Sequence, residues 1–87
     1  MRLALHAADS LKDKRRVRQS VVARTRRRYN VAVSEIDDQD AWGTLTLGIA
    51  CVSTDAGHAH AMLEKVVDSI ERDRLDADLV DYEIEML

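Results

Sequence analysis

A chain of 87 residues, 46% apolar and 33% charged, has the size and apolar content of one small domain with its own core, spanning residues 1–87. No apolar run approaches the roughly 18 residues of a membrane span and no signal-peptide pattern opens the chain, so a cytoplasmic protein with no membrane partner is expected. The net charge of −3 conceals a division: nine of the 13 Lys and Arg lie between positions 12 and 28 against Asp13 alone, a segment of +8 in a remainder of −11.

Met1 to Ala7 alternates, with Leu3, Leu5 and Ala7 on one side and Arg2, Ala4 and His6 on the other, which predicts a short half-buried strand. Ser10-Leu11-Lys12-Asp13 then forms a capping box, the Ser10 hydroxyl accepting from a first-turn amide while Asp13 reaches back. Leu11, Val17, Val21, Val22 and Tyr29 share one arc at about 100° per residue, predicting an amphipathic helix over 11–29 that stops at Asn30. Val31, Val33 and Ile36 follow in a second strand, whose alternation slips near Ser34 and Glu35 as at a bulge. Asp37 to Asp40 is the turn.

From Trp42 to Val52 the alternation is clean and predicts the longest strand, with Leu45, Leu47, Ile49 and Cys51 on one face. Cys51 is the one cysteine, so no internal disulfide forms, and in this apolar setting it reads as a small hydrophobe. Ser53-Thr54-Asp55 offers N-caps to a second helix, along which Ala59, Met62, Leu63, Val66, Val67 and Ile70 repeat at helical spacing to about Arg74. Val80, Tyr82, Ile84 and Met86 alternate with Asp81, Glu83 and Glu85, predicting a last strand with one apolar and one acidic face.

The order β-α-β-β-α-β, with right-handed crossovers, leads to an α+β ferredoxin-like domain: a four-stranded antiparallel sheet in the order 4-1-3-2 with two helices on one face. The first strand then lies beside the last, so Arg2 is expected to pair with Glu83 or Glu85 on the open face.

Ser10-Leu11-Lys12-Asp13-Lys14-Arg15, Tyr29-Asn30-Val31 with Glu35, Asp37-Asp38-Gln39-Asp40 with Trp42, Leu47-Gly48-Ile49-Ala50, Val52-Ser53 and Val80-Asp81-Tyr82-Glu83-Ile84 resemble, in this order, the YlxP-like proteins. The likeness runs from the first strand to the end of the chain. It implies a small bacterial protein of unknown function with a ferredoxin-like fold, of a kind often encoded among translation and ribosome-maturation genes and suspected of binding RNA or ribosomal particles. Two features depart from the family pattern. Arg18 and Thr25 stand on the inward arc where the family tends to have leucine, and the first strand is shorter than the family's.

On the helical wheel Lys12, Arg15, Arg16, Gln19, Arg26 and Arg27 cluster opposite the apolar arc, a stripe about 25 Å long at 1.5 Å per residue. Rigid guanidinium forks match phosphate oxygens, so Lys12, Arg15, Arg16, Arg26 and Arg27 are the candidate nucleic-acid-binding residues, with structured RNA or a ribosomal particle as the expected partner. The bland alternative is a solvated helix face. Arg18 and Lys14 point toward the apolar arc and are expected to snorkel or to pair with a carboxylate. RNA stacking on the open sheet is disfavoured, since that face lacks paired aromatics and carries Asp81, Glu83 and Glu85.

Glu35, Asp37, Asp38 and Asp40 have neither the spacing nor the glycine of a calcium loop and are read as a polar hairpin turn. His58 and His60, two apart on a helix, splay instead of converging on zinc. No metal site and no cofactor are expected. His6 shares the open face with Trp42, and strand pairing that brought Asp81 beside it would imitate a base with its orienting acid. No nucleophile elbow, phosphate loop or zinc pattern supports an enzyme. The expectation is a non-enzymatic RNA- or ribosome-associated module. The alternative is a protein-interaction module or homo-oligomer whose basic helix docks on an acidic surface, with a small pocket enzyme on the open face ranked below both.

Overall fold

A computed structural model describes residues 1–74 and 76–85. The elements are β1 (Arg2–Leu5), α1 (Leu11–Arg28), β2 (Ala32–Asp37), β3 (Thr44–Ala50), α2 (Ala56–Asp73) and β4 (Ala77–Asp81). All strand neighbours are antiparallel and their order is β2-β3-β1-β4, so the ferredoxin-like α+β fold expected from the residues is the fold observed.

Each element begins and ends for a local reason. The Ser10 hydroxyl accepts from the Asp13 amide at 3.1 Å, while the Asp13 carboxylate reaches past the cap residue to the Asp9 amide at 3.3 Å, one position further back than a capping box requires. Asp55 caps α2 by accepting from the His58 amide at 3.1 Å. The predicted slip in β2 is real: pairing with β3 shifts between Glu35 and Asp37, which places the bulge at Ile36. Asp38 then turns the chain with φ of 56°, and its carboxylate accepts from the Thr46 hydroxyl at 2.7 Å.

The alternating inward residues of the sheet meet both helices on one face. Leu3, Leu5, Val33, Leu45 and Leu47 form a continuous core with Val21 of α1 and with Val66 and Ile70 of α2. With no phenylalanine in the chain, this layer of aliphatic side chains supplies the hydrophobic stabilisation, at about 1.5–3 kcal/mol for each large side chain fully buried. The helices are also stitched by polar groups. Arg28 donates to Asp73 at 2.5 Å and to Ser69 at 3.0 Å, and Arg74 donates to Ser20 at 2.8 Å.

The last strand departs from expectation. Its paired segment is Ala77–Asp81, three residues ahead of the predicted start at Val80; Tyr82–Glu85 lie beyond the ladder, and Met86 falls outside the described residues. An irregularity between Arg2 and Leu3 sets Arg2 opposite Asp81, not Glu83 or Glu85, with the side chains 3.7 Å apart. The same register puts Asp78, not Asp81, beside His6, at 2.8 Å.

Candidate nucleic-acid interface

The nine basic residues of α1 divide by what lies opposite them. Lys14 projects inward, is 2% exposed, and directs its ammonium to the carbonyls of Asp38 at 2.5 Å and Ala41 at 2.6 Å and to Glu35 Oε2 at 2.7 Å. Glu35 is equally enclosed, its side chain 6% exposed, and its Oε1 accepts from Arg18 at 3.1 Å. Arg18, which departs from the family's leucine, is therefore the second cation on this carboxylate; Thr25, the other departure, is buried beside Val21 on the inward side of the helix. Arg24 and Arg28 turn toward α2 and share the Asp73 carboxylate at 3.4 and 2.5 Å.

Of the five candidate residues, Lys12, Arg15, Arg16 and Arg27 are exposed, and none of the four makes a hydrogen bond or ion pair with a described residue. Arg26 is exposed as well, but its guanidinium donates to the Val33 carbonyl at 3.0 Å, so one arm of the fork is committed to β2. The structure thus leaves four free cations on the outer side of one helix and sets Arg26 at their margin. At the helix start, the hydrogen bond from Asp13 raises the pKa of Asp9, while that from Asp9 lowers the pKa of Asp13. Asp13 is accordingly the member of the pair that keeps its charge to lower pH, near the positive helix end and Arg16.

The remaining candidates lie at separate places on the fold, with His6 beside Asp78 at 2.8 Å. A cleft of about 850 Å³ lies at the far end of β3, and neither His6, Trp42 nor Asp78 lines it. Glu35, Asp37, Asp38 and Asp40 belong to the bulge and turn, where Glu35 is neutralised by Lys14 and Arg18 and Asp38 bonds Thr46. His60 lies 3.8 Å from Glu64 along its own helix, and that same glutamate accepts from the Tyr82 hydroxyl at 3.0 Å, which raises the tyrosine's pKa. Among the described residues no three His, Cys, Asp or Glu side chains converge as a metal site would require. Among the described residues no helix is long and apolar enough to cross a membrane.

Fold and surface together define a class: a small ferredoxin-like domain that carries a cationic helix over an otherwise acidic body. The chain belongs to the family described as protein of unknown function DUF503, which matches residues 1–84. It is similar to the uncharacterized protein YlxP of Bacillus subtilis strain 168, with 36% identity over 67 residues that cover 77% of this chain and 73% of the relative. Several segments that carry the family likeness meet at one place. Lys14, from the Ser10 to Arg15 segment, meets Glu35 and the carbonyls of Asp38 and Ala41, so part of the recognisable pattern describes a tether between α1 and the β2–β3 turn.

Proposed function

We propose that this protein is a non-enzymatic cytoplasmic module that grips structured RNA, free or within a ribosomal particle, through the outer face of α1. The observation that carries this reading is the division of charge: Lys14, Arg18, Arg24 and Arg28 are ion-paired internally, while Lys12, Arg15, Arg16 and Arg27 face solvent and make no ion pair with a described residue. From Lys12 to Arg27 the stripe runs about 22 Å at 1.5 Å per residue, long enough to follow several phosphates of a folded strand. Like charges on one helix face repel one another, and bound phosphates relieve that repulsion while releasing counterions. Recognition by shape and backbone suits such a surface, because it has no aromatic platform for base stacking.

A second reading rests on the acidic segment that follows β4. Glu83 and Glu85 are exposed and have no cation beside them among the described residues, so a homo-oligomer joining the α1 face of one copy to the acidic segment of another is electrostatically complementary. Such an assembly weakens with salt and ignores RNA.

The test is binding of a labelled, hairpin-rich ribosomal RNA fragment by fluorescence anisotropy across a salt series, comparing the natural chain with an Arg16→Glu/Arg27→Glu variant. Arg26 is left intact because of its bond to β2. Salt-sensitive binding, weakened and with a shallower salt slope by about one to two units in the variant, is the expected result. Equal affinity in the folded variant, or no binding at 50 mM salt, would remove the stripe from consideration.

A further inference from the structure

Along the solvent side of α1 the same small pattern occurs twice: Arg15-Arg16 is followed, one helical repeat later, by Arg26-Arg27. Their offset of about eleven residues makes three turns of an α-helix with about 20° to spare, so the two pairs point in nearly the same two directions and stand about 16 Å apart along the axis. Lys12, one turn ahead of Arg16, adds to the first pair. Arg26 is seated on the Val33 carbonyl at 3.0 Å, which fixes one member of the second pair before any ligand arrives.

The stretch between the pairs carries no charge. Gln19 and Ala23 occupy it, both exposed. The other cations of this part of α1 are turned aside, Arg18 to Glu35 at 3.1 Å and Arg24 to Asp73 at 3.4 Å. The helix therefore offers two cationic grips joined by a neutral saddle, and not an unbroken cationic track.

A single strand presents a phosphate at every nucleotide and is held best by a continuous basic groove with aromatic platforms for its bases; α1 has a gap in its charge and no aromatic residue. A duplex presents two rows of phosphates with a groove between them. In B-form DNA the minor groove, about 6 Å wide, brings the rows too close for the two pairs, and the major groove, about 8.5 Å deep, leaves its floor out of reach of Gln19 and Ala23. The minor groove of A-form RNA is wide and shallow, its phosphate rows stand about as far apart as the two arginine pairs, and it displays ribose 2′-hydroxyls to whatever crosses it.

Resting on the reading of α1 as an RNA-binding face, we propose that this helix lies across the minor groove of an A-form RNA duplex. Arg15 and Arg16 grip phosphates of one strand and Arg26 and Arg27 those of the other. Between them the Gln19 amide, both donor and acceptor, exchanges hydrogen bonds with 2′-hydroxyls, while the small side chain of Ala23 lets the helix settle onto the groove. The protein thus reads duplex shape and sugar instead of base order.

The probes are a fluorescein-labelled RNA duplex of about 16 base pairs, one of its strands alone, and the DNA duplex of the same sequence, titrated by fluorescence anisotropy at one salt concentration. The natural chain is expected to bind the RNA duplex at least tenfold more tightly than either of the others. Ala23→Glu sets a carboxylate in the saddle without deleting a cation and is expected to weaken duplex RNA binding at least tenfold; Thr54→Glu, the same charge change away from α1, is expected to leave it within twofold, and circular dichroism checks that both remain folded. Gln19→Ala is expected to lower affinity for the RNA duplex about threefold and for the DNA duplex not at all. Equal or tighter binding of the single strand would overturn the duplex assignment while leaving α1 an RNA-binding face. Equal binding of the DNA duplex would overturn it too, by showing that charge alone is read, as would unchanged duplex RNA affinity in folded Ala23→Glu. Absence of binding to all three probes would remove the RNA reading itself.

Discussion

Lys14→Met separates a structural lysine from the solvent-facing lysine and arginines of the same helix. The substitution keeps the aliphatic stem but deletes the ammonium of a residue that is 2% exposed, a group with three oxygen partners, two of them backbone carbonyls of the β2–β3 turn. Removing one partner of a buried ion pair costs about 3–5 kcal/mol, because the remaining charge stays desolvated. Two features of the structure place the loss at the lower end, about 3 kcal/mol. Arg18 still holds Glu35 at 3.1 Å, and the Asp38 carbonyl keeps its bond from the Ala41 amide at 3.0 Å. At 0.05–0.15 kcal/mol per residue the whole domain has about 4–13 kcal/mol. The variant thus gives up a quarter or more of its stability, with a fall in Tm of about 12–24 °C. Urea unfolding followed by circular dichroism reads this as a lower midpoint at unchanged slope. A cycle with Glu35→Gln is expected to show coupling of about 1–3 kcal/mol, and Lys14→Met/Glu35→Leu to recover much of the loss. A single-variant loss under 1 kcal/mol, or additive single effects, would refute the reasoning.

Two further outcomes concern acid and steric fit. The hydrogen bond from Arg74 holds the Asp76 carboxyl below the usual carboxylate range. Its stabilising contribution is therefore complete above the unfolded value near 3.9 and fades as pH falls through the lower folded value; Asp76→Asn is expected to flatten the stability profile in that window, as read by urea midpoints at several pH values. Gly48 sits under Ile36, and a Cβ there would lie 2.7 Å from Ile36 Cγ2, an atom close to the backbone of the bulge. Gly48→Ala is expected to destabilise by about 1 kcal/mol, and the loss should disappear when combined with Ile36→Ala.

Local pattern in the residues was enough for the architecture. Serine and aspartate caps, a change from period two to period 3.6 and back, and the β-branched residues of β2 each act within a few positions, so they can be read without knowing the partner. The end of the sheet was not legible in this way. Val80 to Glu85 alternates throughout, yet pairing stops at Asp81, because pairing depends on how far the neighbouring strand extends. The charge of α1 shows the same limit. Helical spacing correctly turned Lys14 and Arg18 inward, but Asp73 lies 45 positions from the end of α1, and only packing of the helices reveals that it claims Arg24 and Arg28. Arg26 stands on the outer arc by spacing and still reaches a carbonyl of β2.

The reach of Arg26 has a consequence for how the protein behaves in a crowded cell. β2 is an outer strand, and in its ladder with β3 the backbone groups of Val33 point away from the sheet. Such an open margin invites another molecule to add a strand and begin a chain of stacked sheets. Here the margin carries a guanidinium already seated on the Val33 oxygen, and three residues later the bulge at Ile36 breaks the straight run of donors and acceptors. One arginine of α1 thereby also covers part of the open margin of the sheet, and access to that margin becomes coupled to the same basic segment that carries most of the chain's positive charge.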